Sequence, residues 1–272
     1  MDVRSWYRAT FDDLTVHKAW NLEMSSLVRH CFTTRRSGVS APPRDTFNLA
    51  LHVDDDEQAV LENRKHLATA LGFDPLAITA AEQVHGKEVA VVKAEDAGCG
   101  AVRFSECILG VDALITNAVG PVLALFYADC VPVFIVDPVN RAIGLAHAGW
   151  KGTALGISAE IIQAMQREYG TDPSKCLAAI GPGIGRCCYD VSHDVAERVL
   201  TASGDQRVIA KASQTTWRLD LKLANWFILR STGIPESSIA MSDECTSCNS
   251  MDFFSYRRDG QTGRMAAILA LR

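Results

Sequence analysis

The chain has 272 residues, 48% of them hydrophobic, and a formal net charge of −5. That length buries a large core, as one large domain or two small ones. The acidic balance argues against a general nucleic-acid or membrane-surface binder and leaves room for a local basic pocket.

The start, Met1-Asp2-Val3-Arg4, runs into mixed polar sequence without the apolar stretch of an export signal. Residues 37–45, which follow the basic pair Arg35-Arg36, are rich in turn formers and read as a loop. Residues 57–71 show helical spacing of Val60, Leu61, Leu67 and Leu71, with Gly72 as the stop. Residues 89–92, 113–116, 122–128, 133–136 and 142–146 read as strands. The most apolar stretch, 119–136, contains Pro121, Asp129 and Pro132, so it is read as buried strands and not as a membrane span. Residues 153–169 read as one helix ended by Gly170. Residues 177–180 form a strand entering the loop Gly181-Pro-Gly-Ile-Gly185. Residues 194–200 and 219–230 are helical in pattern, and 265–271 closes the chain as a strand. No repeat or long linker divides these elements. The expected fold is one α+β domain over residues 1–272, an α/β sandwich of mixed β-sheets flanked by helices.

Chemistry concentrates where strands run out into turns. His85 lies in Gln83-Val-His-Gly, Cys130 in Ala128-Asp-Cys-Val-Pro, and His147 in Ala146-His-Ala-Gly-Trp-Lys-Gly-Thr. Singly, each is an ordinary core or surface residue; together they are a ligand set for zinc with one coordination position left open. Cys245-Thr-Ser-Cys248 has no matching pair nearby in sequence, so a structural zinc is not expected there. The adjacent Cys187 and Cys188 read as packing residues. The nine cysteines, odd in number and scattered, point to free thiols in a reducing cytoplasm. The Gly181–Gly185 loop lacks the glycine spacing and following helix of a dinucleotide fingerprint. It reads as a tight turn or as a wall that lets a substrate approach. Arg257 and Arg258, beside Phe253, Phe254 and Tyr256, are candidates for an anion clamp or a solvated turn. Asn48, Arg35 and Lys151 are further polar groups beside turns.

Taken in order, these motifs resemble the laccase-domain proteins, also called polyphenol oxidases, peptidoglycan editing factors or purine nucleoside phosphorylases. The match starts at His30-Cys-Phe-Thr-Thr-Arg-Arg and Asn48-Leu. It continues through the three segments above, Asp112-Ala-Leu-Ile-Thr and Ile180-Gly-Pro-Gly-Ile-Gly, to Cys245-Thr and Phe254-Ser-Tyr-Arg-Arg-Asp-Gly-Gln-Thr-Gly-Arg264. The resemblance implies a sandwich related to a bacterial toxin deamidase fold and a zinc held by His85, Cys130 and His147. It implies phosphorolysis of adenosine, inosine, guanosine and methylthioadenosine, with hydrolytic deamination of adenosine. The expected partners are therefore purine nucleosides and phosphate, with no nucleic acid and no membrane. Phosphate requires cations, for which Arg257, Arg258, Lys151 and Arg36 are the candidates, with Asn48 as a further polar group. The proton carrier for deamination is not identifiable from sequence: Asp129 and Glu82 are adjacent to ligands, but adjacency does not say which way they face.

This sequence departs from the family pattern at Asp54, where glycine is usual, and at Lys151, where arginine is commoner. A multicopper oxidase needs about ten histidines, many in His-x-His pairs. This chain has seven (17, 30, 52, 66, 85, 147, 193) and no such pair, so copper enters only as a competitor for the zinc ligands. Two rival readings differ in class. One is a metal-free cysteine hydrolase acting on an amide or peptidoglycan-precursor bond, with Cys130 as nucleophile and His147 as base. The other is a zinc-binding scaffold without turnover.

Overall fold

Strand Val131–Asp137 is buried at every position, and its alternate side chains serve two different cores. Val131, Val133 and Ile135 pack with Ile157, Ile161 and Met165. Phe134 and Val136 face the other way, against Phe32, Leu125 and Tyr127. A strand covered on both faces needs no polar alternation, which is why the sequence there is a continuous apolar run.

The computed structural model describes residues 5–272. One six-stranded sheet has the order Ile239–Met241, Leu177–Ile180, Val131–Asp137, Ala142–Ala148, Ala113–Thr116, Val89–Val91. The other has Trp6–Phe11, Leu14–Ala19, Val28–Thr33, Met265–Leu271, Val122–Tyr127, Ile78–Ala80. Both are mixed: the pairs Leu177–Ile180 with Ile239–Met241, Val89–Val91 with Ala113–Thr116, and Ile78–Ala80 with Val122–Tyr127 are parallel. The sheets face each other across Phe32, Tyr127, Phe134 and Leu145. Helices Ile157–Tyr169 and Leu221–Ser231 cover the outer face of the first sheet. Helix Glu57–Leu71 lays Leu67 on the second, against Ala124, Phe126 and Ile268. A small sheet of Asp190–Ser192, Thr216–Leu219 and Ile209–Lys211 sits beside them. The expected mixed-sheet α+β sandwich is the fold observed. Among the described residues no helix is long and apolar enough to cross a membrane.

Differences from the sequence reading have local causes. The helix expected over 153–169 is two, Trp150–Ala154 and Ile157–Tyr169, because Gly156 turns left-handed with φ 82°. Leu219 ends a strand, and the next helix starts only after Asp220, whose carboxylate accepts the Leu223 N–H. The three N-terminal strands lacked an apolar run: Trp6–Phe11 is an edge strand with no fully buried position. Asp54 holds a left-handed conformation, φ 58°, so the turn that usually uses glycine survives the substitution.

Among the side chains that tie the loop ahead of helix Glu57–Leu71 to it, Asn63 makes the most hydrogen bonds. Asn63 Nδ2 donates to Ser40 Oγ and to the carbonyls of Thr46 and Asn48, while its Oδ1 accepts the Val39 N–H. Asn63→Ala leaves those buried groups unpaired and should cost about 1–3 kcal/mol. The expected readout is a lower denaturation midpoint at unchanged m-value; an unchanged midpoint would refute the assigned role.

Candidate active site and metal centre

Two loops and a strand end at one end of the first sheet build the site. Cys130 ends the turn before Val131–Asp137, and His147 lies near the end of the neighbouring strand, where Pro132 pairs with it. His85 sits on the loop before Val89–Val91 with a left-handed φ of 60°. One ligand atom from each falls within 4.8 Å of the others.

Asp112 holds this triangle together. It is fully buried just ahead of strand Ala113–Thr116. Its carboxylate accepts the N–H groups of Val84 (3.1 Å), His85 (3.0 Å) and Gly86 (2.6 Å). It also accepts His147 Nδ1 at 2.8 Å. With Nδ1 committed as donor, loss of the second ring proton exposes the Nε2 lone pair that a metal needs. Burial works against the Asp112 charge, yet His147 and these N–H groups hold its pKa below the ordinary carboxylate value. Burial likewise pushes the Cys130 thiol up, but His147 and His85 more than reverse this and bring it to about 6. Burial also opposes protonation of His147, whereas the Cys130 sulfur and Asp112 hold it up at about 9. Sequence reading missed the role of Asp112; the available signal was an acid opening an otherwise apolar strand.

The donor set fits a zinc ion. Two imidazoles and a readily ionised thiol converge, and the surrounding backbone leaves them space. A Cβ built on Gly149 would lie 3.0 Å from both Cys130 Sγ and His85 Cδ2, so only glycine keeps that cradle clear. The set supplies three ligands, which is the open arrangement.

A cavity of about 550 Å³ opens on the triangle. Phe126, Trp150, Tyr189 and Tyr256 give it aromatic walls, and Lys151, Arg257 and Arg264 give it cations. Arg257 stacks on Tyr189, 4.8 Å from the ring centroid, and spends one donor on the Asp190 carbonyl. Arg264 was not singled out from sequence as a site residue; its Nη1 is held by the Thr262 and Gly263 carbonyls. His52 also lines the wall, its pKa lowered to about 4 by burial and by Arg264.

Other expected site residues lie elsewhere. Arg258 spends all five N–H donors on the protein: two carboxylate oxygens of Asp259 and the carbonyls of Thr246, Ser247 and Phe253. It braces the fold and has nothing left for phosphate. Arg36 binds the Met251 carbonyl and Asp252. Asn48 is fully buried, joining Ala50, Asp55 and the Arg264 N–H, so it supports the cavity from behind. Of the two acids, Glu82 accepts the Gly110 N–H away from the cavity lining. Asp129 lines the cavity at φ 93°, its carboxylate bound by Thr246 Oγ1 and the Arg257 N–H, both at 2.7 Å. Cys187, Cys188, Cys245 and Cys248, expected to be unrelated, form a second cluster.

Residues 29–272 match the family described as multi-copper polyphenol oxidoreductase laccase. The chain is 42% identical over 243 residues to purine nucleoside phosphorylase YlmD of Geobacillus stearothermophilus, covering 88% of this chain and 89% of that one. It is 41% identical over 245 residues to a purine nucleoside phosphorylase of Deinococcus radiodurans, covering 90% and 89%. The crystal structure of YlmD from Geobacillus stearothermophilus superposes with a TM-score of 0.93 at 37% identity, covering 100% of both chains. Fold and sequence together define a laccase-like sandwich protein. The chain belongs to this laccase-like family, several of whose members carry the name purine nucleoside phosphorylase.

Because Asp112 both bends the His85 loop and orients His147, Asp112→Asn should weaken metal binding about ten- to a hundredfold. Competition with a chelator measures this. Retention of wild-type metal affinity would show that the carboxylate only packs.

Proposed function

We propose that the protein is a zinc-dependent purine nucleoside phosphorylase acting on adenosine, inosine, guanosine and methylthioadenosine, with adenosine deaminase activity, in a reducing cytoplasm. The observation that carries this reading is the union, in one cavity, of aromatic faces, accessible cations and the His85–Cys130–His147 triangle. The names of the relatives support the same substrate class, and nine free cysteines suit a reducing compartment.

Phosphorolysis forms a C–O bond from phosphate to the anomeric carbon as the C–N bond to the purine breaks. Aromatic walls take the purine face, and the charged groups must hold an anion beside a sugar that gains positive charge. Arg257 and Lys151 present charge to the cavity, with Arg264 behind them. A guanidinium already stacked on Tyr189 loses little freedom on binding phosphate. His85, Cys130 and His147 would hold the zinc, which supplies Lewis-acid polarisation when bound. Asp112 keeps His147 in the required tautomer, and Thr246 with the Arg257 N–H fixes the Asp129 carboxylate at the cavity rim as a candidate proton acceptor.

Arg257→Ala should remove a charge-assisted contact of roughly 1.5–3 kcal/mol, raising the phosphate KM about ten- to a hundredfold while deamination changes little. Arg257→Lys should recover only part, since a point charge lacks the planar fork. Steady-state kinetics at varied phosphate checks both. An unchanged phosphate KM would remove Arg257 from the anion site and leave Lys151 and Arg264. Arg258→Ala should instead lower stability, because it strips support from three carbonyls.

One feature favours a second reading. Cys130, His147 and Asp112 stand in the order of a nucleophile, its base and the group that orients the base. A metal-free cysteine hydrolase would use that row directly, whereas a thiolate bound to zinc is not free to attack carbon. Metal stoichiometry with rapid alkylation separates them. Zinc in the triangle and a protected Cys130 support the phosphorylase; a metal-free, rapidly alkylated and active protein supports the hydrolase.

A further inference from the structure

The loop after strand Leu177–Ile180 carries Cys187 and Cys188, and the segment after strand Ile239–Met241 carries Cys245 and Cys248. Those strands are parallel neighbours, so their C-terminal ends deliver the two segments side by side. The link is continued by a bridge between Gly183 and Cys245. The four sulfurs lie within 4.8 Å of one another. Cys248 Sγ is 3.4 Å from Cys187 Sγ and 3.3 Å from Cys188 Sγ.

We propose that Cys187, Cys188, Cys245 and Cys248 form a second metal site, a closed tetrathiolate that takes zinc and fastens the two segments walling the cavity. A tetrahedral zinc with bonds of about 2.3 Å sets sulfur–sulfur edges of about 3.8 Å, inside the observed spread of contacts. A disulfide needs about 2.05 Å between two sulfurs, and Cys248 is almost equally far from two partners, so no pair is selected.

The surroundings are built for the same purpose. A Cβ on Gly185 would lie 3.1 Å from Cys187 Sγ and 3.2 Å from Cys245 Sγ, so the glycine clears space for the sulfurs. The Gly185 N–H donates to Cys245 Sγ at 3.1 Å. Four thiolates on one zinc leave two negative charges. Lys222, buried and anchored to the Ser242 and Glu244 carbonyls, places a cation within electrostatic reach of Cys245 and Cys187.

Position gives the site its role. Tyr189, which stacks on Arg257, directly follows Cys188, and Thr246, which holds the Asp129 carboxylate, directly follows Cys245. With all four positions taken by protein, the metal would be structural, in contrast to the open triangle at His85, Cys130 and His147.

The test uses Cys130→Ala protein purified under reductant, which lacks the only thiol of the other site. Elemental analysis should find one zinc per chain. Cobalt(II) substitution should give the intense thiolate-to-cobalt charge-transfer band of a tetrathiolate, and adding Cys248→Ser should weaken it. Cys187 and Cys248 are exposed, so in unsubstituted protein iodoacetamide should label them slowly as isolated and at least tenfold faster after chelation. The labelling arm needs no variant to fold. Rapid labelling of both as isolated, or metal-free Cys130→Ala protein, or a disulfide among the four under reductant, would overturn the proposal. If unsubstituted protein holds one zinc and the Cys130→Ala protein keeps it, this site stands while the metal reading of the triangle fails.

Discussion

The buried carboxylate of Asp112 is the constraint on which the site depends. Three consecutive backbone N–H groups converge on it, and this convergence holds His85 at a positive φ that the residue would otherwise avoid. The same carboxylate fixes the His147 ring, while its backbone carbonyl accepts the His147 N–H. One residue thus sets two ligands, and the pairing of Pro132 with His147 sets the third by placing Cys130 at the adjacent strand end. An uncompensated carboxylate could not stay ionised there. Its four donors are what make the burial affordable.

The cavity shows how an acidic protein keeps a basic interior surface. Counting arginines in sequence says little, because most are spent: Arg64 holds the Leu49, Gly100 and Ala101 carbonyls, and Arg258 is saturated. What distinguishes Arg257 and Lys151 is donor capacity left over beside aromatic walls. The histidines bear on the family's older description in the same way. His17 and His30 are buried in the second sheet, His66 faces Asp13, and His193 is exposed near Glu197. They cannot gather into a copper cluster, and among the described residues the two metal-type clusters are those built on cysteine.

Much of the fold was legible because burial writes itself into spacing. Helix Glu57–Leu71 with Gly72 left-handed at its end, and strands Ala113–Thr116, Leu177–Ile180 and Met265–Leu271, follow the apolar pattern residue for residue. The edge strand Trp6–Phe11 was not legible, since a half-exposed strand carries charges that blur the alternation. Within the site, the three ligands were legible as strand-end residues. Saturation of Arg258, full burial of Asn48 and the distant placement of Arg36 were not, because hydrogen-bond partners far along the chain decide them. The cysteine cluster was hidden for the same reason. Its halves are about sixty residues apart, brought together by the parallel pairing of two strands and the bridge that continues it.

The most direct measurement incubates the purified protein with adenosine or inosine, with and without phosphate, and separates the products. Free base and ribose 1-phosphate that appear only when phosphate is present, and cease when zinc is removed, are the predicted result. Release of free ribose regardless of phosphate, or no turnover of any purine nucleoside by metal-loaded protein, would contradict it.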